Sequence, residues 1–183
     1  MSNIVYIAAS LDGYIADKAG SVDWLHSIPN PEGSDMGFGE FIARVDALVM
    51  GRNTFDMVLS FGIDWPYSKP VFVLSSTLTK VPAGYEDKVF LVKGPLDEVL
   101  ATLSRQGYKD LYIDGGITIQ NFLKADLIDE MIITTIPVLL GGGLPLFGDL
   151  VTPLNFKHVK CERLLDSLVK NHYLRVRDTD NGK

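Results

Sequence analysis

Short continuous apolar runs, spaced by segments of helical period, constrain this chain more than any other feature. Asn3-Ile-Val-Tyr-Ile-Ala-Ala9, Ala47–Met50, Val71–Leu74, Val89–Val92 and Leu111–Ile113 carry β-branched or aromatic residues without polar alternation. A strand that is apolar on both sides is covered on both sides, as in the interior of a parallel sheet. Between these runs Phe38, Phe41, Ile42 and Val45 fall at i, i+3, i+4 and i+7, one face of a helix. Phe55, Val58 and Leu59 follow Thr54, a residue suited to capping a second helix, and Leu96, Val99, Leu100 and Leu103 keep the same period. Ile117–Lys124 gives a further helix after the Gly115-Gly116 break.

After position 130 the pattern changes. Glu130–Pro137 reads as a strand, and a glycine-rich loop covers 141–148. Two strands near 154–165 and 168–177 follow without an intervening helix, as in a hairpin. Alternating strands and helices followed by directly joined strands describe one α/β domain whose sheet has an antiparallel edge. Near the start, Asp12-Gly13 is a turn dipeptide and Tyr14–Ala16 is a short strand or an extended loop. Residues 17–36, anchored by Trp24 and Leu25, have the length of a functional lid or of a loop holding a short helix.

The charge balance, 17 basic against 23 acidic residues, leaves a net charge of −6 and disfavours nucleic-acid binding, which needs an electropositive face. One stretch departs from it: six basic residues against two acids over 157–177. Solvated strand faces are the first reading there and an anion patch the second. The single cysteine, Cys161, excludes an intrachain disulfide and a thiolate zinc site. His26, His158 and His172 lack metal-ligand spacing, so no metal is expected. The apolar run Ile4–Ala9 is too short for a secretory signal and no run approaches membrane-spanning length. The expectation is a cytoplasmic protein with no membrane partner.

Three strand ends carry the residues of chemical interest: Gly51-Arg52-Asn53-Thr54, Leu74-Ser75-Ser76 and Asp114-Gly115-Gly116-Ile117-Thr118. In a parallel α/β sheet the carboxyl ends of the strands line one edge, where ligands bind. Glycines let the backbone approach a ligand, and free N–H groups at the following helix start favour phosphates. Arg52 adds a bidentate phosphate contact and the hydroxyls further donors. Each corner alone is explained by helix capping; together they suggest one extended phosphate-bearing ligand such as a dinucleotide. The usual dinucleotide fingerprint is absent, since Gly37-Phe38-Gly39 lacks the third glycine and follows no strand. A phosphate-loop lysine motif is absent as well.

Ala8-Ala9, Val49–Phe55, Val73–Ser76 and Ile113–Gly116 resemble dihydrofolate reductase in order and spacing. Ser10–Ala16 and Thr135–Gly143 through Leu146-Phe147-Gly148 resemble a neighbouring branch, the riboflavin-biosynthesis reductase domain and its stand-alone relatives. The likeness covers about residues 3–175. It implies a dihydrofolate-reductase-like mixed sheet of roughly eight strands with flanking helices, and NADPH lying across the sheet edge. Gly51, Arg52, Asn53 and Thr54 would contact phosphates, and Leu74, Ser75 and Ser76 would lie near the adenosine 2′-phosphate. Asp114, Gly115, Gly116, Ile117, Thr118 and Ile119 would lie near the pyrophosphate, and Ala9 and Ile15 near the nicotinamide. Family members often carry a cis bond at the paired glycines, here Gly115–Gly116, and a homodimer paired through the sheets.

Hydride transfer asks the protein to hold two carbons about 3–3.5 Å apart, exclude water and supply a proton. For the proton, or for orienting a ring, Asp35 matches the substrate-binding acid of dihydrofolate reductase, with a helix cap as its equal alternative. Asp12, a turn residue beside the substrate in the riboflavin branch, is the second candidate. Glu40 is expected to face solvent, and Asp114 to bond neighbouring turn amides. Trp24, Phe38, Phe41 and Pro137 would wall a flat ring, though core packing accounts for each singly. Two departures set this chain apart from the riboflavin enzymes: Tyr14 stands where they carry lysine, and the zinc-deaminase signature is absent. The sequence therefore points to an NADPH-dependent reductase of a pterin- or pyrimidine-like ring, carbonyl or imine. The alternatives are 5-amino-6-(5-phosphoribosylamino)uracil reductase and a nucleotide-binding module without turnover.

Overall fold

The computed structural model describes residues 1–177. The main elements follow as β1 (Ser2–Ser10), α1 (Phe38–Arg44), β3 (Ala47–Gly51), α2 (Arg52–Ser60), β4 (Val71–Leu74), β5 (Val89–Val92), α3 (Leu96–Arg105), β6 (Asp110–Asp114), α4 (Gly116–Lys124) and β7 (Glu130–Ile136), strands and helices alternating except that β4 and β5 are joined without a helix. The chain closes with a hairpin, β9 (Phe156–Leu164) and β10 (Leu168–Arg175). A small second sheet pairs β2 (Tyr14–Ala16) with β8 (Leu144–Pro145), and a 3₁₀ turn over Asp23–Ser27 lies within the long loop.

The main sheet has eight strands in the order β5-β4-β3-β6-β1-β7-β10-β9. The pairs from β5 through to β7 are all parallel, and β10 runs antiparallel to both β7 and β9. This is the mixed sheet with an antiparallel C-terminal hairpin that the sequence implies. Its central strands are buried on both faces because successive residues feed two different cores. Ile4, Leu48 and Tyr112 pack with Phe41, Ile42 and Phe55 from α1 and α2. Their chain neighbours Val5, Val49 and Ile113 pack with Leu103, Ile119 and Phe122 from α3 and α4. Phe55 and Phe122 are fully buried, and truncating either to alanine would cost about 3–5 kcal/mol.

Two local expectations are revised. Helix α2 begins at Arg52, with Gly51 as its extended cap residue and no side-chain cap; Thr54 sits inside the first turn, so its hydroxyl is not the cap. Val45 is buried with the α1 face, but its backbone is extended and already outside the helix. In the basic stretch the first reading, solvated strand faces, fits the largely exposed β9, and most of its cations meet acids. Lys160 and Lys170 pair with Glu162, while Arg175 and Arg177 pair with Asp126 and Asp129. Among the described residues no helix is long and apolar enough to cross a membrane, and no cluster of His, Cys, Asp and Glu could hold a metal ion.

Candidate functional site

The three glycine- and hydroxyl-bearing corners lie on adjacent strands. Gly51 is in register with Leu74 across β3 and β4, and Met50 with Asp114 across β3 and β6, so the chain leaves all three strands at one edge. Their approach is close enough to require glycine. A Cβ on Gly51 would lie 2.9 Å from Thr118 Oγ1. One on Gly115, whose φ is 91°, would meet the Thr54 hydroxyl at a separation no side chain tolerates. Positive φ at Gly115 turns the chain here, and the Gly115–Gly116 bond is trans, unlike the family expectation.

Helices α2 and α4 both start at this edge, and neither N-cap residue offers a side chain to the first-turn N–H groups. Those donors open onto a cleft of about 320 Å³ lined by Gly51–Thr54 and Gly116–Thr118. Two helix starts on one cleft bring partial positive charge and free N–H groups together, an arrangement that can hold an anion. Arg52 borders it with a half-exposed guanidinium. Its Nε lies 3.2 Å from Asp56 Oδ2, and its Nη1 donates to Thr77 Oγ1 at 3.0 Å.

The cleft continues in both directions. Towards β4 it shares Leu74, Leu96 and Asn121 with a shallow depression that also carries Ser75, Ser76 and Lys93. The Ser75 hydroxyl is partly committed, accepting from the Leu78 N–H at 2.9 Å. Towards β1 it shares Thr54, Gly116 and Leu144 with a largely apolar cavity of about 650 Å³, bounded by Ile15, Met57, Tyr67 and Asp114. That cavity in turn shares Ile7, Ala8, Leu25 and His26 with a neighbour of about 410 Å³ that reaches Tyr6, Met36 and Asp35. The result is one groove along the carboxyl edge of the sheet, from β4 and β5 across β3 and β6 to β1 and β7.

The acids divide by environment. Asp35 accepts from the N–H groups of Gly37 and Gly39, both at 2.9 Å, which hold its carboxyl below the usual range. It thus caps the start of α1 while bordering the smaller cavity. Asp12 accepts from the Ser10 hydroxyl at 2.6 Å and from the N–H groups of Leu140 and Gly141 at 3.1 and 2.8 Å, and is held low as well. Neither is built to release a proton near neutrality, and Asp12 lines neither large cavity. Asp114 is the opposite case: desolvation pushes its carboxyl up to about 6, although the Gly115 N–H donates to it at 2.8 Å. Burial, with the Asp114 charge added, also raises the Tyr67 phenol beside it.

Several expected wall residues lie elsewhere. Phe38 and Phe41 form an aromatic cluster with Tyr6 and Tyr112 on the α1 side of the sheet, Phe41 stacking on Tyr6 at 4.4 Å. Neither borders the two large cavities, because the helical period that marks them is that of the core face of α1. Trp24 is half-buried and turns away, leaving its neighbours Leu25 and His26 on the cavity, and Pro137 is exposed beyond the end of β7. Ala9 and Ile119 are buried in the core, so the groove meets Ala8 and Thr118 instead. Glu40 is exposed as expected. His26, Met57, Tyr67 and Lys93 border the groove without having been marked by the sequence; only Met57, one turn after Thr54 on α2, carried a spacing that could have found it.

The model of the RibD C-terminal domain matches residues 3–170. Two Bacillus subtilis (strain 168) proteins are similar over nearly their whole length. Uncharacterized protein YwjB is 36% identical over 176 residues, covering 94% of this chain and 97% of its own. Uncharacterized protein YyaP is 31% identical over 183 residues, covering 93% of each. A crystal structure named "Putative riboflavin biosynthesis protein" from Shewanella sp. PV-4 superposes with a TM-score of 0.95 at 66% identity, over 97% of this chain and 100% of that one. The Thermotoga maritima diaminohydroxyphosphoribosylaminopyrimidine deaminase/5-amino-6-(5-phosphoribosylamino)uracil reductase shares the fold, with a TM-score of 0.74 at 19% identity. It is matched over 96% of this chain but 56% of its own. With its sheet order, its glycine-bearing strand ends and this span of matched sequence, the chain belongs to the RibD C-terminal domain family.

Proposed function

We propose that this protein is an NADPH-dependent reductase that transfers a hydride to a small heterocycle, pterin- or pyrimidine-like, or to a related carbonyl or imine. The observation that carries the reading is the pair of helix starts without side-chain caps that open onto one cleft midway along a continuous groove. The first-turn N–H groups of α2 and α4 would hold the pyrophosphate, and Gly51 and Gly115 let it approach the backbone. Arg52, Ser76 and Lys93 would hold the adenosine 2′-phosphate at the β4 end, favouring NADPH over NADH. Bound there, the coenzyme would supply the hydride.

The remaining work falls to side chains of the apolar cavity. Ile15, Met57 and Leu144 would keep water from the reacting carbons. Asp114, poised near 6, is the acid for the proton that must accompany the hydride. Asp35, held as a carboxylate by α1, would orient the ring rather than protonate it. NADPH and NADH titrations followed by tryptophan fluorescence test the coenzyme assignment, with at least tenfold tighter NADPH binding expected. NADPH consumption against pterins, pyrimidines, carbonyls and imines then tests turnover. Quenching without consumption of any of these would leave a binding module, and absence of quenching would end the coenzyme assignment.

A further inference from the structure

The two cavities at the β1 end of the groove differ from its β4 end in the charge of their walls. The β4 end carries Arg52 and Lys93. Among the described residues, no lysine or arginine lines either cavity at the other end; the ionisable groups there are Asp23, Asp35, Asp114, the Tyr6 and Tyr67 phenols and the exposed imidazole of His26. Lys170 lies behind the wall of the smaller cavity, at Met36. Its ammonium donates to the Met36 carbonyl at 3.0 Å and pairs with Glu162 at 3.4 Å, and it lines neither cavity. Asp35 stays ionised under its two N–H donors. With the α2 and α4 helix starts that border the larger cavity at Thr54 and Gly116 given to the coenzyme, a phosphate monoester entering this space would meet carboxylates where a phosphate site needs guanidinium, ammonium or further helix-start donors. The one helix start bordering the smaller cavity, that of α1, has its N–H groups at Gly37 and Gly39 taken by Asp35.

Resting on the proposed coenzyme assignment, which gives the β4 end to NADPH, we infer that the substrate is a flat molecule without phosphate, neutral or cationic where it enters these cavities. The phosphoribosylated pyrimidine for which the Thermotoga relative is named is then excluded. Two cavities of about 650 and 410 Å³ sharing four residues hold a bicyclic ring or a ring with a neutral sugar.

The test is a matched pair that differs in one group: 5-amino-6-(5-phosphoribosylamino)uracil and its dephosphorylated riboside. Each is titrated calorimetrically into the protein saturated with NADP⁺, which keeps the ester from the Arg52 end. The riboside is expected to bind at least tenfold more tightly, about 1.4 kcal/mol, with little dependence on salt. Equal or tighter binding of the ester overturns the inference, and so does failure of both compounds to bind. Asp23→Lys is expected to narrow the gap through a salt-sensitive gain for the ester alone; no gain would likewise count against an electrostatic origin. NADPH binding is read separately by fluorescence. If it fails, the coenzyme assignment falls, and the same pair titrated into coenzyme-free Arg52→Ala protein still decides the substrate class.

Discussion

Asp114→Asn tests the link between burial and proton supply. Burial pushes the Asp114 carboxyl up to about 6 in the folded protein from its ordinary 3.8, so the folded state binds more protons than the unfolded chain between those values. A folded state that is richer in protons loses stability as pH rises. The contribution of Asp114 therefore falls through pH 3.8–6, and above 6 the ionised group destabilises the fold by about 2–3 kcal/mol. Asparagine keeps an oxygen for the Gly115 N–H and carries no charge. Urea unfolding of both proteins at several pH values should show a small difference at pH 4, growing to about 2–3 kcal/mol in favour of the variant at pH 7–8. The groups held low, Asp12, Asp35, Asp46 and Glu162, act in the opposite sense but are common to both proteins and cancel. Turnover should move the other way. Wild-type kcat/KM should decline above a pH near 6, whereas the variant should be at least a hundredfold slower and lack that inflection. A stability difference flat in pH would refute the burial argument, and a variant with wild-type turnover would remove Asp114 from the proton path.

Four further outcomes are expected. Arg52→Ala should weaken NADPH by tenfold or more and NADH by less than threefold; equal losses, read by fluorescence, would deny it the 2′-phosphate. Gly115→Ala should cost about 2 kcal/mol or more, because it adds positive-φ strain to a clash with the Thr54 hydroxyl. In a double-mutant cycle by urea unfolding, Thr54→Ala should recover the clash but not the strain. Asp12→Ala should raise amide exchange at Leu140 and Gly141, whose N–H groups the carboxylate holds. Because its carboxyl is held low, that brace should be present above the usual carboxylate range and be lost as pH falls below it. Asp35→Asn should lower turnover while leaving NADPH affinity unchanged, and full activity would reduce Asp35 to a helix cap.

How far the site was legible depends on whether a residue's role is set by its neighbours in sequence or in space. The parallel core was legible because burial on both faces leaves a continuous apolar run, as β3, β4 and β6 show; β5 carries the same kind of run at the sheet edge, where Phe90 is exposed. That the three strand-end corners share one edge was legible because a strand-to-helix turn compresses its chemistry into four or five consecutive residues. Phe38 and Phe41 misled for the opposite reason: an i, i+3 spacing marks a helix face without saying what that face meets, and theirs meets Tyr6 and Tyr112. The brace from Asp12 to Gly141 joins groups 129 residues apart, so Asp12-Gly13 alone shows only a turn. Tyr67 lies in a loop without period, and Lys93 just past β5 resembles any solvated lysine. Asp114 shows the limit most clearly. It was placed among the turn amides, and it does accept from Gly115 N–H, but the property behind its proposed role is desolvation between β6 and the loop carrying Tyr67. That property belongs to the assembled groove, since no stretch of neighbouring sequence could raise a carboxyl to about 6.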